Sequence, residues 1–134
     1  DTPPSLGWLT QSAFFASQHS LICAIPEAYS VIALRRLKEF QASIRQYHEI
    51  GVFGVILSFW DDRGAVNQAF LEEIENSFPS KAFQAKIRRD MGVSRAVLKG
   101  QTVFETDRQG RAASDYRLLI QEFLERHTPV SQHG

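Results

Sequence analysis

The chain has one cysteine in 134 residues, Cys23, so it can form no internal disulfide and no Cys-x-x-Cys metal or cluster site. Cys23 lies in the apolar run Leu21-Ile22-Cys23-Ala24-Ile25, where a thiol is expected to be a small buried core residue rather than a nucleophile. No apolar run approaches the roughly 20 residues that a membrane-spanning helix needs, and nothing reads as a signal peptide. The expected compartment is therefore the cytosol. Neither sign of charge is in excess. Fifteen basic and fifteen acidic side chains cancel, so only local clusters can speak of partners. His19, His48, His127 and His133 are scattered, and none pairs at i+3 or i+4 with another ligand, so no metal site follows from them. The glycine-rich phosphate loop G-x-x-x-x-G-K is missing as well. Repeats, linkers and low-complexity stretches are absent, and the length suits a single core. One domain over residues 1–127 is expected, followed by a polar tail, 128–134.

What is present is alternation of strand and helix. Leu6 to Ser17 carries apolar residues near helical spacing and predicts a short helix. Residues 20–25 form a short continuous apolar run, the pattern of a strand buried on both faces of a parallel sheet. From Ala28 to Tyr47, Val31, Leu34, Leu37, Phe40, Ile44 and Tyr47 recur every three or four positions, which predicts an amphipathic helix. A second buried strand follows at 52–58, then a helix carrying Val66, Phe70, Ile74 and Phe78. A strand from Lys81 to Ile87 and a short helix from Val93 to Lys99 come next, and Thr102-Val103-Phe104 reads as an edge strand. The last helix, Ser114 to Arg126, places Tyr116, Leu119, Ile120, Phe123 and Leu124 on one face. Short connections between these elements predict an α/β fold, a mainly parallel sheet with helices on both faces.

Three stretches could carry chemistry. The opening Asp1-Thr2-Pro3-Pro4-Ser5-Leu6-Gly7 cannot start a helix, because proline restricts its predecessor and lacks an N–H. It is either a surface turn or a carboxylate poised for a magnesium–phosphate site, since Mg²⁺ takes oxygen ligands and keeps waters. Asp61-Asp62-Arg63 follows the second strand at the end where α/β proteins place ligands, and is either a nucleotide-side loop or a polar turn and helix cap. Between residues 86 and 99, Lys86, Arg88, Arg89, Arg95 and Lys99 face a single acid, Asp90. Such a cluster either neutralises nucleic-acid phosphates without reading bases or forms a solvated, salt-bridged face.

Taken together, these motifs resemble the ParA-type partition ATPases. Asp1-Thr2-Pro3-Pro4-Ser5 matches the family's Walker B ending. Pro26-Glu27 with Leu34, Val55-Ile56-Leu57 with Asp61, and Asp107, Arg111, Ala113 and Tyr116 match its later segments. The resemblance implies half of a P-loop NTPase-like doubly wound fold, here the second half beginning at the Walker B acid. It further implies that Asp1 serves magnesium through water and that Asp1, Pro3, Ser58, Arg88 and Arg89 lie near the nucleotide, with Glu27 a switch residue. Lys86, Arg89, Arg95 and Lys99 would contact non-specific DNA. ATP and Mg²⁺ would be the full-length protein's cofactors. A ParB-type protein, DNA and a second ATP-bound copy would be its partners, at the nucleoid, with no membrane. No hydrolysis is expected from this chain without the phosphate loop. Two departures stand out: Arg88 where the family has a proline framing adenine, and Gly92 where it often has a basic residue. The alternatives are a non-enzymatic α/β interaction or DNA-binding module, or a relative of the MinD cell-division ATPases, whose basic amphipathic C-terminal helix is not seen here.

Overall fold

A computed structural model describes residues 5–127 of the chain. The elements, in order, are α1 Trp8–Phe15, β1 His19–Ala24, α2 Ala28–Ile44, β2 Gly51–Trp60, α3 Asn67–Ser77, β3 Ala82–Arg88, α4 Met91–Leu98, α5 Val103–Thr106 and α6 Arg111–His127. The three strands form one parallel sheet in the order β1-β2-β3. β2 is central, and its consecutive residues Val55, Ile56 and Leu57 are all buried. Successive side chains of a strand point to opposite faces, so both faces of β2 are covered.

On one face Val55 and Leu57 pack with Ile22 and Ala24 of β1, Leu34 of α2, and Phe70 and Ile74 of α3. On the other, Ile56 meets Phe83 and Ile87 of β3 and Leu119 of α6, with Phe53, Tyr116 and Phe123 at the margin. This is the α/β sheet with helices on both faces that the alternation predicts. The expected helix boundaries shift locally. α2 stops at Ile44, whose carbonyl accepts from the N–H of both Tyr47 and His48, at 2.9 and 3.0 Å.

Three expectations fail. Thr102-Val103-Phe104 is not an edge strand, because the Glu105 carboxylate folds back to accept from the N–H and hydroxyl of Thr102 at 2.7 and 2.8 Å. That reciprocal local bonding starts a helical turn, α5, instead. β1 is not buried on both faces: its residues alternate, with Ile22 and Ala24 inside and Leu21 41% exposed. Cys23 is likewise exposed rather than buried. The cause is the placement of α6, which packs along β3 and reaches β2, while among the described residues Leu21 and Cys23 on the same face of β1 stay exposed.

α6 does more than cover a face. The β2–β3 register jumps from Val55↔Ala82 to Leu57↔Lys86, so β3 bulges where Phe83 lies against the backbone of Gly54. The N–H groups of Gln84 and Ala85 donate to the Glu122 carboxylate at 2.9 and 2.8 Å. Arg126 donates to the Ala82 carbonyl at 2.7 Å and to Glu122 at 2.6 Å, with its guanidinium 4.1 Å from the Phe83 ring centre. Burial pushes the Glu122 carboxyl up, but the two N–H donors and Arg126 outweigh it and hold it below the ordinary glutamate range. Side chains of α6 thus occupy the place of the expected fourth strand.

Candidate functional site

A parallel sheet gathers the C-terminal ends of its strands on one side, where α/β proteins bind ligands. In this chain that side carries the β1–α2 turn at Pro26-Glu27, the β2–α3 loop from Asp61, and the β3–α4 turn at Arg89-Asp90. Glu27 is the N-cap of α2, yet its side chain makes no capping bond. The β2–α3 loop consumes its own acids. Asp61 accepts from the N–H of Arg63 at 3.0 Å, Asp62 from the indole N–H of Trp60 at 2.9 Å, and Asn67 donates to the Asp61 carbonyl. Just before them Phe59 takes a left-handed backbone, φ 52°, with its ring half exposed.

The β3–α4 turn is the most heavily bonded part of this side. Asp115 on α6, its side chain 4% exposed, accepts from the Arg88 main-chain N–H at 3.1 Å. It also accepts from Nε and Nη2 of the same residue, at 3.0 and 2.5 Å. That bidentate contact raises the Arg88 guanidinium further above its usual range; burial opposes it, and Asp62 and Asp90 add to it. Asp90 caps α4 by accepting from the Gly92 N–H at 2.7 Å. This bond holds the Asp90 carboxyl below the ordinary aspartate range; burial opposes it, and Arg111 and Arg95 reinforce it. Arg111 donates to Asp90 at 3.2 Å and to the carbonyl of Arg89 at 2.8 Å. Gly92 is buried here, and a Cβ on it would sit 3.0 Å from the Asp90 carboxylate, which accounts locally for the small residue.

The candidate residues divide accordingly. Asp1 and Pro3 lie outside the described residues, as does the tail 128–134. Ser58, half-buried near the end of β2, stands opposite Ile87 in register and next to the turn. Arg88 is committed to Asp115. Lys86 places its ammonium 5.1 Å from the Trp60 ring centre, and Arg89 its guanidinium 5.3 Å from that of Phe59. Arg95 and Lys99, four residues apart at the end of α4, are exposed. Among the described residues, Lys86, Arg89, Arg95 and Lys99 form no salt bridge, whereas Arg88 and Arg111 do. No three His, Cys, Asp or Glu residues among the described ones are grouped to hold a metal ion, and no described helix is long and apolar enough to cross a membrane.

Comparison with known proteins decides the family. Over 124 residues, 92% of its length, the chain is 50% identical to a ParA family protein of Chlamydia trachomatis. The chain belongs to the ParA family. It covers 49% of that relative, and so spans about half the length of the curated relatives it matches. It is also 44% identical over 122 residues to the virulence plasmid ParA family protein pGP5-D of Chlamydia muridarum, covering 91% of the chain and 46% of the relative. Identity to the sporulation initiation inhibitor protein Soj of Bacillus subtilis is 29% over 124 residues, 91% of the chain and 49% of the relative. No family model matches the chain. Among solved structures, apo McdA from Cyanothece superposes with a TM-score of 0.72 at 16% identity, covering 90% of the chain and 48% of McdA. At that identity the likeness establishes the α/β fold alone.

Two features of this side of the sheet escaped the sequence reading. Asp115 belongs to none of the stretches singled out above, because its partner lies 27 residues away at the end of a strand. Phe59 lies just past the predicted strand 52–58, and no sequence signal announces its left-handed backbone.

Proposed function

We propose that the chain is part of a ParA-type partition ATPase, and that its β3–α4 edge binds duplex DNA without regard to sequence. The observation that carries the DNA reading is the division of charge. Arg88 and Arg111 are consumed by Asp115 and Asp90, while Lys86, Arg89, Arg95 and Lys99 have no carboxylate partner among the described residues. Unpaired cations on one edge suit phosphate neutralisation, where each contact releases a counterion. Family membership supports an ATP-dependent role for the full-length protein, and a solved McdA structure is an ATP complex. Asp1 would then act on Mg²⁺ through water, with Pro3, Ser58 and Arg89 near the nucleotide. Of the two guanidiniums at that end of β3, only that of Arg89 is free of a carboxylate, so the described residues fit an anionic ligand through Arg89 and not through Arg88. When bound, Mg²⁺ would supply charge neutralisation at the transferred phosphate. An ATP-bound homodimer, a ParB-type partner and location at the nucleoid, away from membranes, complete the proposal.

The test is retardation of unrelated duplex DNAs by the full-length protein and by its R89A/R95A/K99A variant across a salt series. Binding should weaken for all sequences alike, with the salt slope falling by about three. A folded triple variant that retards DNA as the parent does would make the cluster a solvated face.

A further inference from the structure

The β3–α4 turn holds Arg89 by its main chain and leaves its side chain open. The N–H of Arg89 donates to the Trp60 carbonyl at 3.3 Å, and its carbonyl accepts from Arg111 at 2.8 Å. The residues on either side are fixed as well, Arg88 by three bonds to Asp115 and Asp90 by Arg111 and the Gly92 N–H. Arg111 and Asp115 stand four residues apart on α6, hence on one face of it. Among the described residues, by contrast, the Arg89 guanidinium forms no salt bridge and lies against the Phe59 ring.

We infer that Arg111 and Asp115 are positioning residues that hold Arg89 on a preordered backbone for the phosphates of duplex DNA. The inference rests on the DNA reading above. Ordering a flexible turn at the moment of binding would cost affinity, and a turn tied down in advance avoids that cost. Its consequence runs against simple charge counting. Asp115 is an acid beside a basic cluster, so charge alone predicts that Asp115→Asn strengthens binding. Positioning predicts the opposite, because the amide cannot accept from both guanidinium nitrogens and the main-chain N–H.

A double-mutant cycle in the full-length protein separates the cases, read as duplex-DNA affinity at several salt concentrations. The proteins are the parent, R89A, R111K, R89A/R111K and D115N, each checked for folding by circular dichroism. Arg111→Lys keeps the charge but loses the two-pronged contact to Arg89 and Asp90. It should weaken binding about three- to tenfold in the parent and leave affinity unchanged in the R89A background. D115N should bind more weakly than the parent despite its lost negative charge. An equal loss from R111K in both backgrounds, or tighter binding by D115N, overturns the positioning role and leaves the DNA reading standing. Should R89A itself match the parent in affinity and salt slope, the DNA reading at Arg89 falls. Because R111K preserves charge, the cycle decides the question even if D115N does not fold.

Discussion

Replacing Glu122 with glutamine keeps the side chain's shape and removes its charge, which isolates the bonding of α6 to β3. The carboxylate accepts from Gln84, Ala85 and Arg126 at 2.9, 2.8 and 2.6 Å. In the variant one oxygen becomes an NH₂ group, so one main-chain donor faces another donor. A charge-assisted bond contributes about 1.5–3 kcal/mol, and an orphaned donor costs about 1–3 kcal/mol. With the side chain only 17% exposed, water compensates little, and the net loss is about 3 kcal/mol. Unfolding entropy of about 2.1 cal/mol/K per residue gives ~0.28 kcal/mol/K for 134 residues, hence a fall in Tm of ~10 °C. Scanning calorimetry reads it directly. Because the folded carboxyl titrates below the ordinary glutamate value, its stabilisation is complete above about pH 4.3 and is lost as pH falls through the lower folded value. The gap in Tm between parent and variant should therefore be constant from pH 7 to about pH 5 and close on further acidification. A gap under about 2 °C at pH 7, or one that widens in acid, would refute the reasoning.

Gly54→Ala places a Cβ 2.2 Å from Cε2 of Phe83 and 3.2 Å from the Lys81 carbonyl, so it should cost about 1–3 kcal/mol in a denaturant titration. Adding Phe83→Leu should recover part of that loss, and a neutral G54A would show that the ring does not lie where described. Cys23 should react with a thiol reagent in the native protein as fast as after denaturation, since β1 leaves it on the uncovered face. A thiol that stays silent until denaturation would mean that this face is covered. Gly100 ends α4 with φ +63°, so Gly100→Ala should lower stability by about 1 kcal/mol although nothing lies near enough to clash.

Periodicity carried most of the fold. The spacing of Val31, Leu34 and Leu37 and that of Tyr116, Leu119 and Phe123 announced α2 and α6, and the run Val55-Ile56-Leu57 announced the central strand. These patterns persist because each is a local response to a buried surface. What was not legible depends on partners distant in sequence. Thr102 to Phe104 is apolar enough for a strand, but Glu105 sets its fate through a bond three residues away, and α6 already fills the edge it would have joined. Cys23 sits in an apolar run that says nothing of which face a helix will cover. The family was legible from the Asp1–Ser5 and Asp107–Tyr116 motifs. The commitment of Arg88 to Asp115 was not, because charge composition cannot distinguish a paired arginine from a free one.

The α6 side chains along β3 also limit how the molecule can assemble. Asp115, Glu122 and Arg126 hold main-chain groups of Arg88, Gln84, Ala85 and Ala82, so β3 offers little to an incoming strand, whereas among the described residues β1 has a sheet neighbour on one side only. Open-ended stacking of sheets needs two receptive edges per subunit, one to add to and one to add with. With a single receptive edge, strand addition can join two copies of this chain about a twofold axis and then has nowhere to continue. Edge association of this chain is therefore self-terminating: concentrated samples should sediment as monomer and dimer, without the higher species that fibril growth requires.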